Sequence, residues 1–222
     1  MTFTSNIATA GAPLGRAKAA MVLLHGRGAA AESMLSLAEI FGQRDVAYLA
    51  PQAPGRTWYP YSFMAPIEQN EPYLSRSLAA VGDLVTGLSD FGLERTILLG
   101  FSQGGCLALE FAARNTQRYG GVVGLSAGLI GPENVPRIYG GSLARTPVFL
   151  GCSDIDAHIP LGRVRESTKI LSALGGNVVE RIYPGMGHTI NDDEIGHIRS
   201  MLADIVGSLS PVPDKGPLVA NG

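Results

Sequence analysis

The chain has 222 residues, 45% of them hydrophobic, and a formal net charge of -2. That length and apolar share suit one compact domain with a substantial core, and the charge offers no basic footprint for nucleic acid or an anionic membrane. The two cysteines, Cys106 and Cys152, lie far apart in apolar stretches and are too few for a disulfide framework, which points to a reducing compartment.

The first twenty residues, MTFTSNIATAGAPLGRAKAA, lack a charged segment followed by an apolar one, so no signal peptide is expected. No run is apolar over about 18 residues, so no membrane span is expected and the protein reads as cytoplasmic. Ala19–Leu24 (AAMVLL) reads as a buried strand ending at HGRG, 31–41 as a helix and 46–50 (VAYLA) as a strand. Residues 73–91 carry Leu74, Leu78, Val81, Leu84, Val85 and Leu88 at helical spacing. Then come a strand at 96–100, a helix at 104–115, strands at 121–125 and 147–151, a helix at 163–174 closed by Gly175, a strand at 178–183 and a last helix at 192–206. Asp192 and Asp193 suit the N-terminal cap of that helix. Apolar strands alternating with helices imply an α/β fold, a mostly parallel central sheet with helices on both faces and no large lid. One domain over 1–209 is expected, and the tail 210–222 reads as disordered.

One segment breaks the alternation. Residues 51–72, PQAPGRTWYPYSFMAPIEQNEP, hold five prolines, the only tryptophan, two tyrosines and a phenylalanine. Long irregular segments in compact domains are usually functional or disordered, and this one is too aromatic for disorder. It reads as an ordered loop near the strand ends, with Trp58, Phe63 and Met64 as candidates for a pocket wall, against plain packing as the alternative.

Gly-x-Ser-x-Gly occurs twice, as GFSQG at 100–104 and GLSAG at 124–128. With 29 glycines in the chain the pattern alone is weak, so context must choose. A nucleophile turn needs a strand before it and a helix directly after it, so that the bend exposes the serine and the helix N-terminus faces the reaction centre. Ser102 has both, with ILLG before it and GGCLALEFAARN after it. Ser126 is followed by LIGPENVP, where Gly131, Pro132 and Pro136 prevent a helix, and it reads as a small residue at a strand end.

A serine hydroxyl needs a base, and the base a third group that fixes its tautomer. In strand order, PVFLGCSDIDAHIP supplies an acid at Asp154 or Asp156, and ERIYPGMGHTINDDE supplies His188. The oxyanion needs two main-chain N–H groups, expected from Gln103, after the serine, and Arg27 in LLHGRG. The Arg27 side chain reads as solvated or paired with an acid rather than as a substrate ligand. His25 reads as a loop-holding hydrogen bonder, His197 as a solvent-facing helix residue, and His158 as a candidate substrate contact. The four histidines form no tract, and DIDAH alone is no metal site.

In order, LLHGRG, PQAP, LGFSQGG, LSAG, SDIDAHIP and YPGMGH resemble the carboxylesterase/phospholipase family of α/β-hydrolases, which includes acyl-protein thioesterases. The likeness runs from about 19 to 206. It implies a lidless α/β-hydrolase fold, cleavage of a small-molecule carboxylic ester or thioester, and no cofactor; a homodimer is common for such enzymes, but the sequence does not fix the oligomeric state. The family pattern Gly-Asp-x-Asp-Pro-x-Val-Pro aligns without a gap on SDIDAHIP and places the acid at Asp156, with Ser153 in place of Gly and Ala157 in place of Pro. Asp154, three residues after Gly151, stays as the alternative. The TWYPYSF loop departs from the thioesterase branch and favours esters of small or medium acyl chains over acyl-protein or lysophospholipid substrates. A scaffold that binds a small ligand without turnover is the competing class of reading.

Overall fold

The computed structural model describes residues 6–208, so the reading of 210–222 lies outside the described residues. Its elements, in chain order, are β1 (Ile7–Gly11), β2 (Ala19–Leu24), α1 (Ala31–Phe41), β3 (Val46–Pro51), α2 (Ile67–Asn70), α3 (Tyr73–Gly87), β4 (Thr96–Phe101), α4 (Gln103–Arg114), β5 (Gly121–Leu125), β6 (Pro147–Ser153), α5 (Leu161–Ala173), β7 (Asn177–Tyr183) and α6 (Asp192–Ser208).

The strands form one sheet in the order β1-β3-β2-β4-β5-β6-β7, parallel throughout except for β1 at the edge. Strands β2 and β3 are buried at every position, as strands covered on both faces must be. Alternate residues enter opposite cores. Ala20, Val22 and Leu24 of β2 pack in the core that includes residues of α3, α4 and α5, whereas Ala19, Met21 and Leu23 pack in the core that includes residues of α1 and α6.

Strand β1 escapes the sequence pattern because IATAG is short and built from small residues. Its partner decides it: Ile7 to Gly11 run antiparallel to Pro51 to Ala47. The helix read over 73–91 stops at Gly87. The capping expectation for α6 is also corrected. Asn191 is the cap, its Oδ1 accepting from the Glu194 N–H at 2.9 Å while Glu194 Oε2 accepts from the Asn191 N–H at 2.9 Å. This reciprocal pair satisfies two otherwise orphaned donors, which Asp192 and Asp193 in the first turn would not do together.

Chain order and spatial order part company beside β2. The strand that follows it in sequence lies on one side and β4 lies on the other. In open α/β sheets such a switch point opens a crevice beyond the carboxyl ends of the strands, and the turns after β2 and β4 both sit there.

Candidate active site

The β4–α4 turn places Ser102. The residue has φ 53° and ψ -121°, a strained conformation for a side chain larger than glycine's, costing on the order of 1–3 kcal/mol. The surroundings enforce it. Ser102 N–H donates to the Leu125 carbonyl at 2.9 Å, and its own carbonyl accepts from Cys106 N–H at 2.9 Å as the helix begins. The two glycines of the pentapeptide are steric requirements: a Cβ at Gly100 would stand 2.2 Å from Gly104 O, and one at Gly104 2.2 Å from Leu24 O. Only bare backbone lets β4, α4 and the end of β2 approach this closely.

Ser102 Oγ donates to His188 Nε2 at 2.9 Å, and His188 Nδ1–H donates to Asp156 Oδ2 at 2.7 Å. These partners fix the imidazole tautomer, with its proton on Nδ1 and its lone pair toward the serine. Asp156 Oδ1 accepts from the N–H groups of His158 at 2.8 Å and Ile159 at 3.0 Å. Burial acts to raise the Asp156 carboxyl, but the hydrogen bonds from His188 and these two amides outweigh it and hold the group below its usual range. The Asp156 side chain is fully covered while that of His188 is 21% exposed, so the imidazole is open to the cleft and the carboxylate is not.

Asp154 lies elsewhere. Its Oδ1 accepts from Gly185 N–H at 2.8 Å and braces the turn that carries the histidine. Ser153 braces the same turn, its Oγ accepting from Gly187 N–H at 3.1 Å. Thus the serine that stands where the family pattern has glycine supports the loop next to His188. Behind the carboxylate, the Cys152 thiol donates to Asp156 Oδ2 at 3.8 Å; burial first, then the adjacent carboxylate, pushes that thiol up to about 12, so it stays protonated. Phe101 packs its ring against His188 with centroids 4.9 Å apart. The sequence pointed to Asp154 and Ser153 for other reasons, and the supporting contacts of Cys152 and Phe101 carried no sequence signal.

A cleft of about 590 Å³ opens over Ser102. Phe63 lines it, along with Tyr59, Pro60 and Tyr61 of the same loop, and His158 and Ile159 complete the far side. Trp58 and Met64 do not line it, which corrects the expectation for both. Trp58 is 1% exposed, with its indole N–H donating to His25 O at 2.8 Å, because a buried indole needs an acceptor and finds it behind the cleft. Met64 packs against the core instead. His158 meets His188 edge-on, with ring centroids 4.7 Å apart.

Three further readings can be compared with the contacts. His25 holds a loop: its Nδ1–H donates to Gly26 O at 2.7 Å, and Nε2 accepts from Ala53 N–H at 3.1 Å. Burial pushes it below its ordinary value, consistent with a neutral ring. His197 faces solvent only in part and is half-buried. Its ring stacks on that of Phe149 in β6, with centroids 4.3 Å apart, because α6 packs over that face of the sheet. The Arg27 side chain is exposed to solvent, and its guanidinium donates to two carbonyls rather than to an acid, Pro60 O and Tyr61 O, each at 2.6 Å.

A strained serine at a strand–helix turn, at the carboxyl edge of a mostly parallel sheet with helices on both faces, is the architecture of the α/β-hydrolases. Within that class, the model of the phospholipase/carboxylesterase family matches residues 6–206, and the chain belongs to that family of serine hydrolases. A solved phospholipase/carboxylesterase from Dyadobacter fermentans is 43% identical with a TM-score of 0.85, over 91% of this chain and 98% of that one. Acyl-protein thioesterase 1 of Saccharomyces cerevisiae is 28% identical over 217 residues, 86% of this chain and 95% of that one. The match to acyl-protein thioesterase 1 of Gibberella zeae is 33% identical over 111 residues and spans about half of that relative, 47% of its length. Among the described residues, no helix is long and apolar enough to cross a membrane.

Proposed function

We propose that this protein hydrolyses carboxylic esters of small or medium acyl chains through Ser102, His188 and Asp156. The observation that carries the reading is the unbroken line of hydrogen bonds from hydroxyl to imidazole to carboxylate. Ser102 Oγ attacks the ester carbonyl while His188 Nε2 takes its proton. Asp156 orients the ring and stabilises the imidazolium. The main-chain N–H groups of Gln103 and Arg27 receive the oxyanion. Gln103 is the first residue of α4, where an N–H has no helical acceptor and the helix dipole favours negative charge. A Cβ at Gly26 would sit 3.6 Å from Ser102 Cβ, so the turn bearing Arg27 abuts the nucleophile. His188 then protonates the leaving alcohol, and water cleaves the acyl-enzyme by the same route.

The substrate range follows from the cleft. Its volume of about 590 Å³ and its walls of Tyr59, Tyr61, Phe63, Phe101 and Ile159 suit a compact apolar acyl group, with His158 at the rim as a substrate contact. A p-nitrophenyl ester series should peak at short to medium chains. The named thioesterase relatives support a second reading, in which thioesters are the preferred substrates; matched oxygen and sulfur esters of one acyl group separate the two by their kcat/KM ratio. A fluorophosphonate probe should label the enzyme at Ser102 by peptide mapping, and a protein that binds without turnover would stay unlabelled.

A further inference from the structure

We propose that the side chains of Arg27 and Gln103 position the oxyanion-binding N–H groups by gripping the aromatic loop 56–61, which makes that loop part of the catalytic apparatus. The inference rests on the reading of Ser102 as the nucleophile.

Residues 57–63 form neither helix nor strand, so their backbone groups need other partners. Four successive carbonyls find them in side chains. Trp58 O accepts from Ser77 Oγ at 2.6 Å, Tyr59 O from Gln103 Nε2 at 2.7 Å, and Pro60 O and Tyr61 O from the two Nη atoms of Arg27 at 2.6 Å. Three of the four are therefore held by the two residues whose main-chain N–H groups face the reacting carbonyl in the mechanism above. The grip is returned through the backbone. Gly28 N–H donates to Arg56 O at 2.7 Å, and Trp58 N–H donates to Gln103 Oε1 at 3.0 Å.

The consequence is geometric. Arg27 lies in the turn after β2, and Gln103 opens α4 after β4. One loop joined to both fixes the separation of their N–H groups before substrate arrives. Preorganised donors of this kind supply much of the stabilisation in acyl transfer, and a misplacement of about 1 Å costs on the order of 10²-fold in rate. The guanidinium suits the task because its planar fork spans two consecutive carbonyls, which a lysine ammonium cannot match. Neither side chain touches the reacting atoms in this role; both are positioning groups.

The test uses Arg27→Met and Arg27→Lys in the full chain, with a neutral p-nitrophenyl ester as substrate and an aryl trifluoromethyl ketone as inhibitor. The ketone adds to the serine and presents a hemiketal oxyanion. Arg27 is exposed, so both variants keep the core intact. The expected result for Arg27→Met is a kcat lowered by about 10- to 100-fold at nearly constant KM, with the ketone weakened by a similar factor. Arg27→Lys should recover only a minor part of that loss. A kcat equal to wild type in Arg27→Met would overturn the proposal, as would a kcat loss with unchanged ketone affinity, or full recovery by lysine, which would show that charge alone suffices. These failures leave the nucleophile assignment standing. That assignment falls instead if Ser102→Ala retains turnover.

Discussion

The two Gly-x-Ser-x-Gly turns lie side by side at the ends of adjacent parallel strands, and their backbones are more alike than their surroundings. Ser102 has φ 53° and Ser126 has φ 45°, and each donates its N–H to the next strand, at Leu125 O and Gly151 O respectively. The difference lies in what comes after. Ser102 is followed by α4 and faces His188, whereas Ser126 is followed by loop and is fully buried beside the Cys152 thiol. The pentapeptide therefore sets a kink at a strand end; the element that follows and the residues opposite decide which groups the hydroxyl meets.

That contrast can be broken at several points. Ser102→Ala should lower kcat by on the order of 10⁶ for any ester, since removing a nucleophile disables the whole triad. Wild-type turnover in this variant would reverse the assignment. Next in size, Asp156→Asn should lower kcat by roughly 10⁴, because an amide would favour the wrong imidazole tautomer. Asp154→Asn keeps an acceptor for Gly185 N–H and should leave kcat within about threefold, under 1 kcal/mol of barrier. Equal losses in the two variants would mean that the acid is not resolved by the hydrogen bonds seen here.

A smaller effect belongs to the Ser126 side. Glu194 is buried, its carboxylate lying over Gly151, where a Cβ would meet Oε1 at 2.1 Å. Burial raises this carboxyl from 4.5 to about 7. Between those values the folded chain holds a proton that the unfolded chain has lost, so stability should fall as pH rises through that window and level off above about 7. The loss is at most about 3 kcal/mol, and Glu194→Gln should abolish this part of the pH dependence in denaturant titrations at pH 5 and pH 8. An identical slope in wild type and variant would remove Glu194 from the account. The smallest expected effect is that of Ser126→Ala, with kcat within about threefold of wild type in the same ester assay. A loss as large as that of Ser102→Ala would erase the distinction between the turns.

Much of this was legible in the residues. Apolar runs at AAMVLL, VAYLA and TILLG read as buried strands, because they are too short for core helices and suit a sheet covered on both faces. GFSQGG before a helix-forming stretch marks a strand–turn–helix at Ser102 and none at Ser126 by local rules alone. The short strand β1 was not legible, since IATAG acquires its identity from pairing with β3. The place of Trp58 was not legible for a related reason: an aromatic in a loop is equally suited to a wall or to the packing behind one.

What the sequence determined by itself were the properties carried by nearest neighbours: strand and helix periods, the sharp turn at Ser102, and the chain order of Ser102, an aspartate pair and His188. Tertiary structure alone decided the properties that need atoms distant in the chain to meet. It sets Asp156 rather than Asp154 against His188, puts Ser153 and Cys152 behind them, and ties Arg27 to the carbonyls of Pro60 and Tyr61. Hydrogen bonds act over about 3 Å, so which partner a side chain reaches depends on the folded path of the chain and not on its order.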